Sequence, residues 1–385
     1  FFFLSLDDIL SMLYMKVKQH EQIEIRVNRQ DLSLDGIRQL RRKKSLLGLL
    51  RVQFFGESGI DTGGLRKEFL SAFITAIQTN LFEGTELSGL SPGPHVEAVE
   101  NGSFKVVGQV MVMSVLQEGP PPAFLANWVY RYLCTPDVTA IPLIDDDIVN
   151  PDIRTLVKRV KEVNSKEELQ AIFQNNADMD VLMNTGFTST ISLEKKDTIV
   201  RVITLQNTIM RMKAELDQMR EGLKLHGCLA MMEEHPSLME KLFVPGEDYN
   251  ARVTSTLLMN SLTAEYSESG STKRLQETAV MAYFNRYVEE REDSLSDSTS
   301  SVGSVKDVFQ FLTGKTTRPF LPAEKNSFGI TVKFIHCSND HQICFPTIST
   351  CALWIQLPVA HMTTFSDFKF NMDTAITHEK TFGRA

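Results

Sequence analysis

No stretch of this 385-residue sequence reaches about 18 consecutive apolar residues, so no membrane span is expected. Cysteine is scarce. Cys134, Cys228, Cys337, Cys344 and Cys351 make an odd count, spread thinly and without a Cys-x-x-Cys pair. That argues against a disulfide framework and a structural zinc site, and makes cytoplasm or nucleus the expected compartment. Basic charge is not in excess: the formal net charge is −8, and the longest Lys/Arg run is Arg41-Arg42-Lys43-Lys44, which reads as a solvated turn. Nucleic acid is therefore not an expected partner. Gly56-Glu57-Ser58-Gly59 has no lysine in the phosphate-loop position, and no His-Glu-x-x-His or other metal-ligand pattern occurs, so neither cofactor nor metal is expected. The chain does not begin with Met. Phe1-Phe2-Phe3-Leu4 is too short and too uncharged for a signal peptide, and the sequence reads as a piece of something longer.

What is present is an ordinary globular composition, 42% hydrophobic and 23% charged, enough for two or three compact units. Leu49 to Phe55 reads as a strand that turns at Gly56. Leu65, Phe69, Phe73 and Ile77 form one stripe of an amphipathic helix whose entrance Asp61 or Thr62 would cap. Gly84 to Pro94, rich in Gly, Ser and Pro, reads as a loop. Ile153, Leu156, Val157, Val160 and Val163 line a short helix. A long helical pattern follows from about Asp197 to Arg220 and stops at Gly222, with Met210, Met212 and Met219 as core filler. Ser267 to Thr272 has little to bury and reads as a mobile linker. Leu275 to Arg291 is helical again, and Ser294 to Ser304 reads as an exposed loop. Ile330, Val332 and Phe334, then Leu353, Ile355 and Leu357, alternate as half-buried strands. This order predicts an α+β protein in two lobes: a mainly helical one over 1–266, a hinge over 267–274 and a smaller mixed lobe over 275–385.

Cys351 lies between a polar run, Pro346 to Thr350, and the strand Leu353 to Leu357. A loop–strand junction offers an accessible sulfur on a rigid base, which nucleophilic chemistry needs. On position alone a lone cysteine is more often a small buried hydrophobe. The surrounding residues say more. Phe345-Pro346-Thr347-Ile348-Ser349-Thr350-Cys351-Ala352-Leu353-Trp354-Ile355-Gln356-Leu357-Pro358 resembles the active-site signature of HECT ubiquitin ligases, Leu-Pro-x-Ala-x-Thr-Cys-x-x-x-Leu-x-Leu-Pro. Two further blocks match in order. The run from Phe54 to Phe69, with Gly56-Glu57, Gly59, Asp61, Gly63-Gly64 and Glu68-Phe69, resembles a block near that family's start. Val308-Phe309-Gln310-Phe311-Leu312-Thr313-Gly314 with Arg318-Pro319 resembles one in its C-terminal lobe. Gly222-Leu223, His235-Pro236 and Phe243 are weaker echoes. Within the family the sequence is nearest the cell-cycle (G2/M-phase) type.

The resemblance implies a bilobed ligase whose N-terminal lobe docks a ubiquitin-conjugating enzyme, at about residues 135–200 with Phe173 and Phe187 as candidate anchors. The C-terminal lobe would carry ubiquitin as a thioester on Cys351 and pass it to a lysine of a protein substrate. Thr350 is the nearest donor to support the thiolate. Phe382, fourth from the end, resembles the residue that docks the C-terminal lobe for lysine transfer. Three positions depart from the family pattern: Ser349 where His is common, Lys67 where Arg is usual, and Ala385 where some members end in an acid. His361, Asp367 and Asp373 are the candidate replacement proton acceptors. Two other readings stay open at this point. One is a HECT-like module that binds ubiquitin or a conjugating enzyme without catalysis; the other is a cysteine hydrolase pairing Cys351 with His361.

Overall fold

The structure, a computed structural model, describes residues 4–57, 63–85, 88–246, 253–293, 303–336, 344–350 and 352–381. Asp61, Thr62, Cys337, Cys351, Phe382, Ala385 and most of the 294–304 stretch lie outside the described residues. The apolar side chains of the described residues gather into three cores.

The first core opens with α1 (Leu6–Tyr14), capped when Ser5 Oγ accepts the Asp8 amide and Asp8 accepts the Ser5 amide in return. Strands β1 (Lys18–Val27) and β2 (Gly48–Phe54) pair in parallel, with α2 (Leu32–Arg41) as the crossover between them. α3 (Gly64–Leu81) carries the expected stripe: Phe69, Phe73 and Ile77 are fully buried. Gly63, at φ 119°, makes the turn into it with a backbone that side chains disfavour. The stretch expected as a loop over Gly84 to Pro94 instead lies largely in an antiparallel pair, β3 (Phe82–Thr85) with β4 (Gly89–Pro92). Two short glycine-bearing strands have no apolar alternation by which to be recognised.

α4 (Val96–Glu100) leads to α5 (Ser103–Leu116), which is buried on nearly every side, and then to α6 (Asn127–Cys134). The chain leaves this core for a third, separate one. Its helices are α7 (Pro151–Glu162), α8 (Lys166–Ile172), α9 (Asn176–Met183) and α10 (Lys196–Asn207), closed around Ile148, Leu156, Val160, Leu169, Ile199 and Ile203. Phe173 is buried there and Phe187 packs against it half-buried, so Phe173 is core and not an exposed anchor. Arg201 on α10 donates to the carbonyls of Val138, Thr139 and Ile141 at 2.8–3.3 Å, which ties the outgoing chain to the incoming one.

The helix expected without interruption from Asp197 to Arg220 breaks at Thr208 (φ −121°, ψ −94°). There Asn207 Nδ2 and Thr208 Oγ1 donate back to the carbonyls of Ile203 and Thr204, bonds that compete with helical continuation. The chain resumes as α11 (Lys213–Leu223), followed by α12 (Cys228–Glu234) and α13 (Pro236–Phe243). Met212 and Met219 are buried as expected, but Met210 is exposed. α11 crosses α5 at a glycine pair. A Cβ on Gly222 would collide with the Lys105 backbone, and one on Gly108 with the Met219 carbonyl. Gly222 thus lies in a helix contact one residue before α11 ends, close to the stop expected there.

The second core holds α14 (Ser255–Ser261), β5 (Leu262–Ala264), α15 (Thr272–Asp293), α16 (Val305–Thr313), β6 (Ile330–Ile335), β7 (Thr347–Ser349), β8 (Trp354–Pro358) and α18 (Phe365–Thr381), while α17 (Pro322–Ser327), between α16 and β6 in sequence, packs against α1. The sheet order is β5-β6-β8-β7, parallel except for the last pair. Val280, Phe284, Tyr287, Phe309 and Phe368 fill the space behind it. The two alternating runs of the sequence are β6 and β8. This core begins at Val253, and β5 belongs to its sheet, so it starts upstream of the 267–274 stretch. That stretch is also tied down: Ser267 donates both its amide and its hydroxyl to Glu277, which is 1% exposed and also bonds His336 at 2.7 Å. The whole is α+β. Among the described residues no helix is long and apolar enough to cross a membrane, and no cluster of His, Cys, Asp and Glu is built to hold a metal.

Candidate active site

β7 and β8 pair with Ser349 opposite Trp354, which leaves residues 350–353 to make the turn. Cys351 belongs to this turn by sequence and, like Phe382, lies outside the described residues. Its flanks are defined. Thr350 is half-buried and Ala352 exposed. The Ala352 amide donates to Ser349 Oγ at 3.2 Å, so the serine in place of the family's common histidine closes the turn. Leu353 takes a left-handed backbone, φ 49°, at a cost of roughly 1–2 kcal/mol. It is kept there by the ladder: its carbonyl accepts the Thr331 amide at 2.9 Å. Beyond it Ile355 and Leu357 are fully buried, so the turn sits on a strand that cannot shift without opening the core. On its other side Thr350 faces Gly314, the left-handed cap (φ 72°) of α16, where an added Cβ would lie 3.7 Å from Thr350 Cβ.

The remaining cysteines divide by chemistry. Burial pushes the Cys134 thiol up to about 11 and the Cys228 thiol up to about 12. Both are buried in the first core, so neither supplies a thiolate near neutral pH. Cys344 is half-buried ahead of β7.

The three candidate proton acceptors are not gathered at the turn. Asp373 on α18 is engaged by Arg291 and accepts the Tyr287 hydroxyl at 2.6 Å, which joins α15 to α18. Asp367 accepts the Thr364 amide and the Thr363 and Thr364 hydroxyls at the start of α18, and those bonds hold its carboxyl below the usual range. His361 follows β8, at the end opposite the turn; five strand residues put it on the order of 15 Å away. Its carbonyl accepts Asn371 Nδ2 at 2.9 Å.

The profile of the HECT-domain (ubiquitin-transferase) family matches residues 68–385. The chain belongs to the HECT family. Three proteins named G2/M phase-specific E3 ubiquitin-protein ligase are similar to it: 24% identical over 321 residues in Macaca fascicularis, 24% over 316 in Gallus gallus and 22% over 324 in Homo sapiens. These alignments cover 83%, 81% and 83% of the chain but 41%, 38% and 41% of the relatives, so the chain spans about two-fifths of their length. The resemblance drawn from three short blocks is thus a family membership, and the HECT signature around position 351 falls on the β7–β8 turn.

The HECT departures have structural places. Ser349 closes the turn. Lys67, 9% exposed on α3, pairs with Glu118 at 2.5 Å, where an arginine's wider fork would need more room. Ala385 is beyond the described residues. Sequence reasoning assigned no role to Ser349 as a turn acceptor or to Gly314 as the neighbour of Thr350. The Thr313-Gly314 pair within a matched block was the one signal for the latter.

Proposed function

We propose that this HECT chain is a ubiquitin-protein ligase that takes ubiquitin from a conjugating enzyme as a thioester on Cys351 and transfers it to a substrate lysine. The observation that carries the reading is the family match over residues 68–385, with its cysteine signature falling on a tight turn at the start of a buried strand. The Cys351 thiolate attacks the carbonyl carbon at the C terminus of the carried ubiquitin. A new carbon–sulfur bond forms and the conjugating enzyme's thiolate leaves. One thioester replaces another, so the step is nearly balanced and needs no cofactor. In the second step a lysine amine attacks the same carbonyl, the Cys351 thiolate leaves, and the amine's proton passes to a base or to water. Thr350 is the proposed local donor to the thiolate and Phe382 the proposed anchor during lysine transfer.

The third core is the proposed docking unit for the conjugating enzyme. It is a compact body of its own, and it exposes apolar side chains at Met183 (58%) and Leu193 (39%), with Ile144 (63%) just ahead of it. Exposed side chains of this size at one small unit suit a protein partner.

The test is a gel run with and without reductant after incubation with activating enzyme, a panel of conjugating enzymes and labelled ubiquitin. A thiol-sensitive adduct is expected on the natural chain and none on Cys351→Ala. Phe382→Ala is expected to load normally and discharge slowly to lysine. An adduct that persists on Cys351→Ala would overturn the assignment.

A further inference from the structure

The segment from Lys315 to Lys325 lies by sequence in the second unit, between α16 and β6, yet it is built into the first. Leu321 is 3% exposed and belongs to the first core, with Phe320 packed beside it. Lys325 Nζ lies 2.7 Å from Asp7 Oδ1 on α1, against which α17 packs. Lys315 is 4% exposed; its amine pairs with Glu324 and feels Glu118, the carboxylate already bound to Lys67 of α3. Burial and the charge of Lys67 both push the Lys315 amine well below the usual lysine range, while Glu118 opposes them. Two largely buried lysines thus lie near one another, each paired with its own carboxylate, Lys315 with Glu324 and Lys67 with Glu118. Beside this cluster Thr316 and Thr317 face Ser71, Thr75 and Gln78 of α3 across a cleft of about 450 Å³, so the seam is not close-packed.

We infer that the Lys315–Lys325 strip is a latch that holds the second core against the first, with Leu321 as its bolt and Glu118 and Asp7 as its charged catches. This rests on the ligase reading, in which the unit bearing position 351 must travel between partners. Two apolar side chains and a few charges make a small seal beside the many apolar side chains closed within each core. Such a contact opens without unfolding either side. Buried ion pairs of this kind add little net stability to the closed form, because desolvation offsets their attraction, and so they do not oppose its release. The strip also begins directly after Gly314, which faces Thr350, so its release alters the surroundings of the turn.

Amide hydrogen exchange followed by mass spectrometry on the full chain tests this. Leu321→Asp is expected to raise exchange about ten-fold over 6–14 and 322–327 and to leave 280–288 and 354–358 protected. Asp7→Lys, which sets like charges opposite Lys325, is expected to raise exchange over 6–14 about two-fold, and Asp7→Lys with Lys325→Asp to restore it. If Leu321→Asp loses protection throughout, the charge exchange decides: restoration supports the latch, and no change on Asp7→Lys overturns it. Unchanged exchange over 6–14 in both variants also overturns it. Single-turnover loading separates the two readings. Exchange as expected, with no thiol-sensitive ubiquitin adduct on any variant, removes the ligase reading and leaves the latch. Normal loading with unchanged exchange removes the latch and leaves the ligase.

Discussion

The first and second cores solve opposite problems. In the first, α5 is buried on nearly all sides and meets α11 at a glycine pair with no space to spare, so packing alone fixes the geometry. In the second, a four-stranded sheet carries at one end a polar turn closed by Ser349 and bent through the left-handed Leu353. Rigid packing and a strained turn are kept apart, and the family's signature residues Ser349, Thr350 and Ala352 lie at the turn. The Cys134 and Cys228 thiols are shielded in the first core instead.

If the two cores are separately closed, the largest blow to one should spare the other. Phe368→Ala removes a fully buried ring from the second core and is expected to cost about 3–5 kcal/mol. Calorimetry should show the transition of the second unit fall while the other holds; an equal fall in both would show one cooperative body. Gly222→Ala strikes the first core and is expected to cost about 1–3 kcal/mol, because the methyl meets backbone that has nowhere to go. A melt no lower than that of the natural chain would mean that the α5–α11 contact is loose.

Gly314→Ala is a smaller perturbation that sharpens the comparison at the turn. The left-handed cap should cost about 1 kcal/mol while the added methyl meets Thr350 at ordinary contact distance. Stopped-flow loading with a labelled conjugating-enzyme thioester should slow several-fold more than stability alone accounts for. A rate that simply tracks the melt would deny Gly314 a part in the turn.

The smallest effect is acidic. Burial raises the Glu277 carboxyl, but the bonds from Ser267 and His336 outweigh it and hold it below its ordinary value near 4.5. A depressed carboxylate stabilises the fold fully above the unfolded value, and that contribution is lost as pH falls through the folded value. As pH falls below about 4.5, Glu277→Gln should therefore flatten the decline of the second unit's melting temperature and leave the first unit's unchanged.

The sequence revealed the parts that announce themselves by period or by spelling. The stripe of α3 and the alternation of β6 and β8 were readable because each buries one face of a regular element. The family was readable because three blocks kept their order. The β3–β4 pair was not, since glycines and a proline stand where alternating side chains would signal a strand. Nor was the break at Thr208, where side-chain bonds compete with a helix whose apolar pattern continues past it. The start of the second core at Val253 was hidden because β5 is three residues long and joins its sheet through partners about 70 residues away, Leu262 opposite Ile330. At the candidate site the family's signature was legible. The turn's hydroxyl closure and its glycine neighbour were not, because they depend on what α16 and β6 bring alongside.

Arg201 has a consequence for how a docked partner would be aimed. One guanidinium gathers three carbonyls of the incoming chain onto the outgoing helix, and Leu205, one turn further along that helix, packs against the first core, so the third core is mounted where its two connecting chains meet. A body mounted that way tilts as a whole before it bends, and the direction in which it presents its cargo is set at the mount, far from the surface that would hold it.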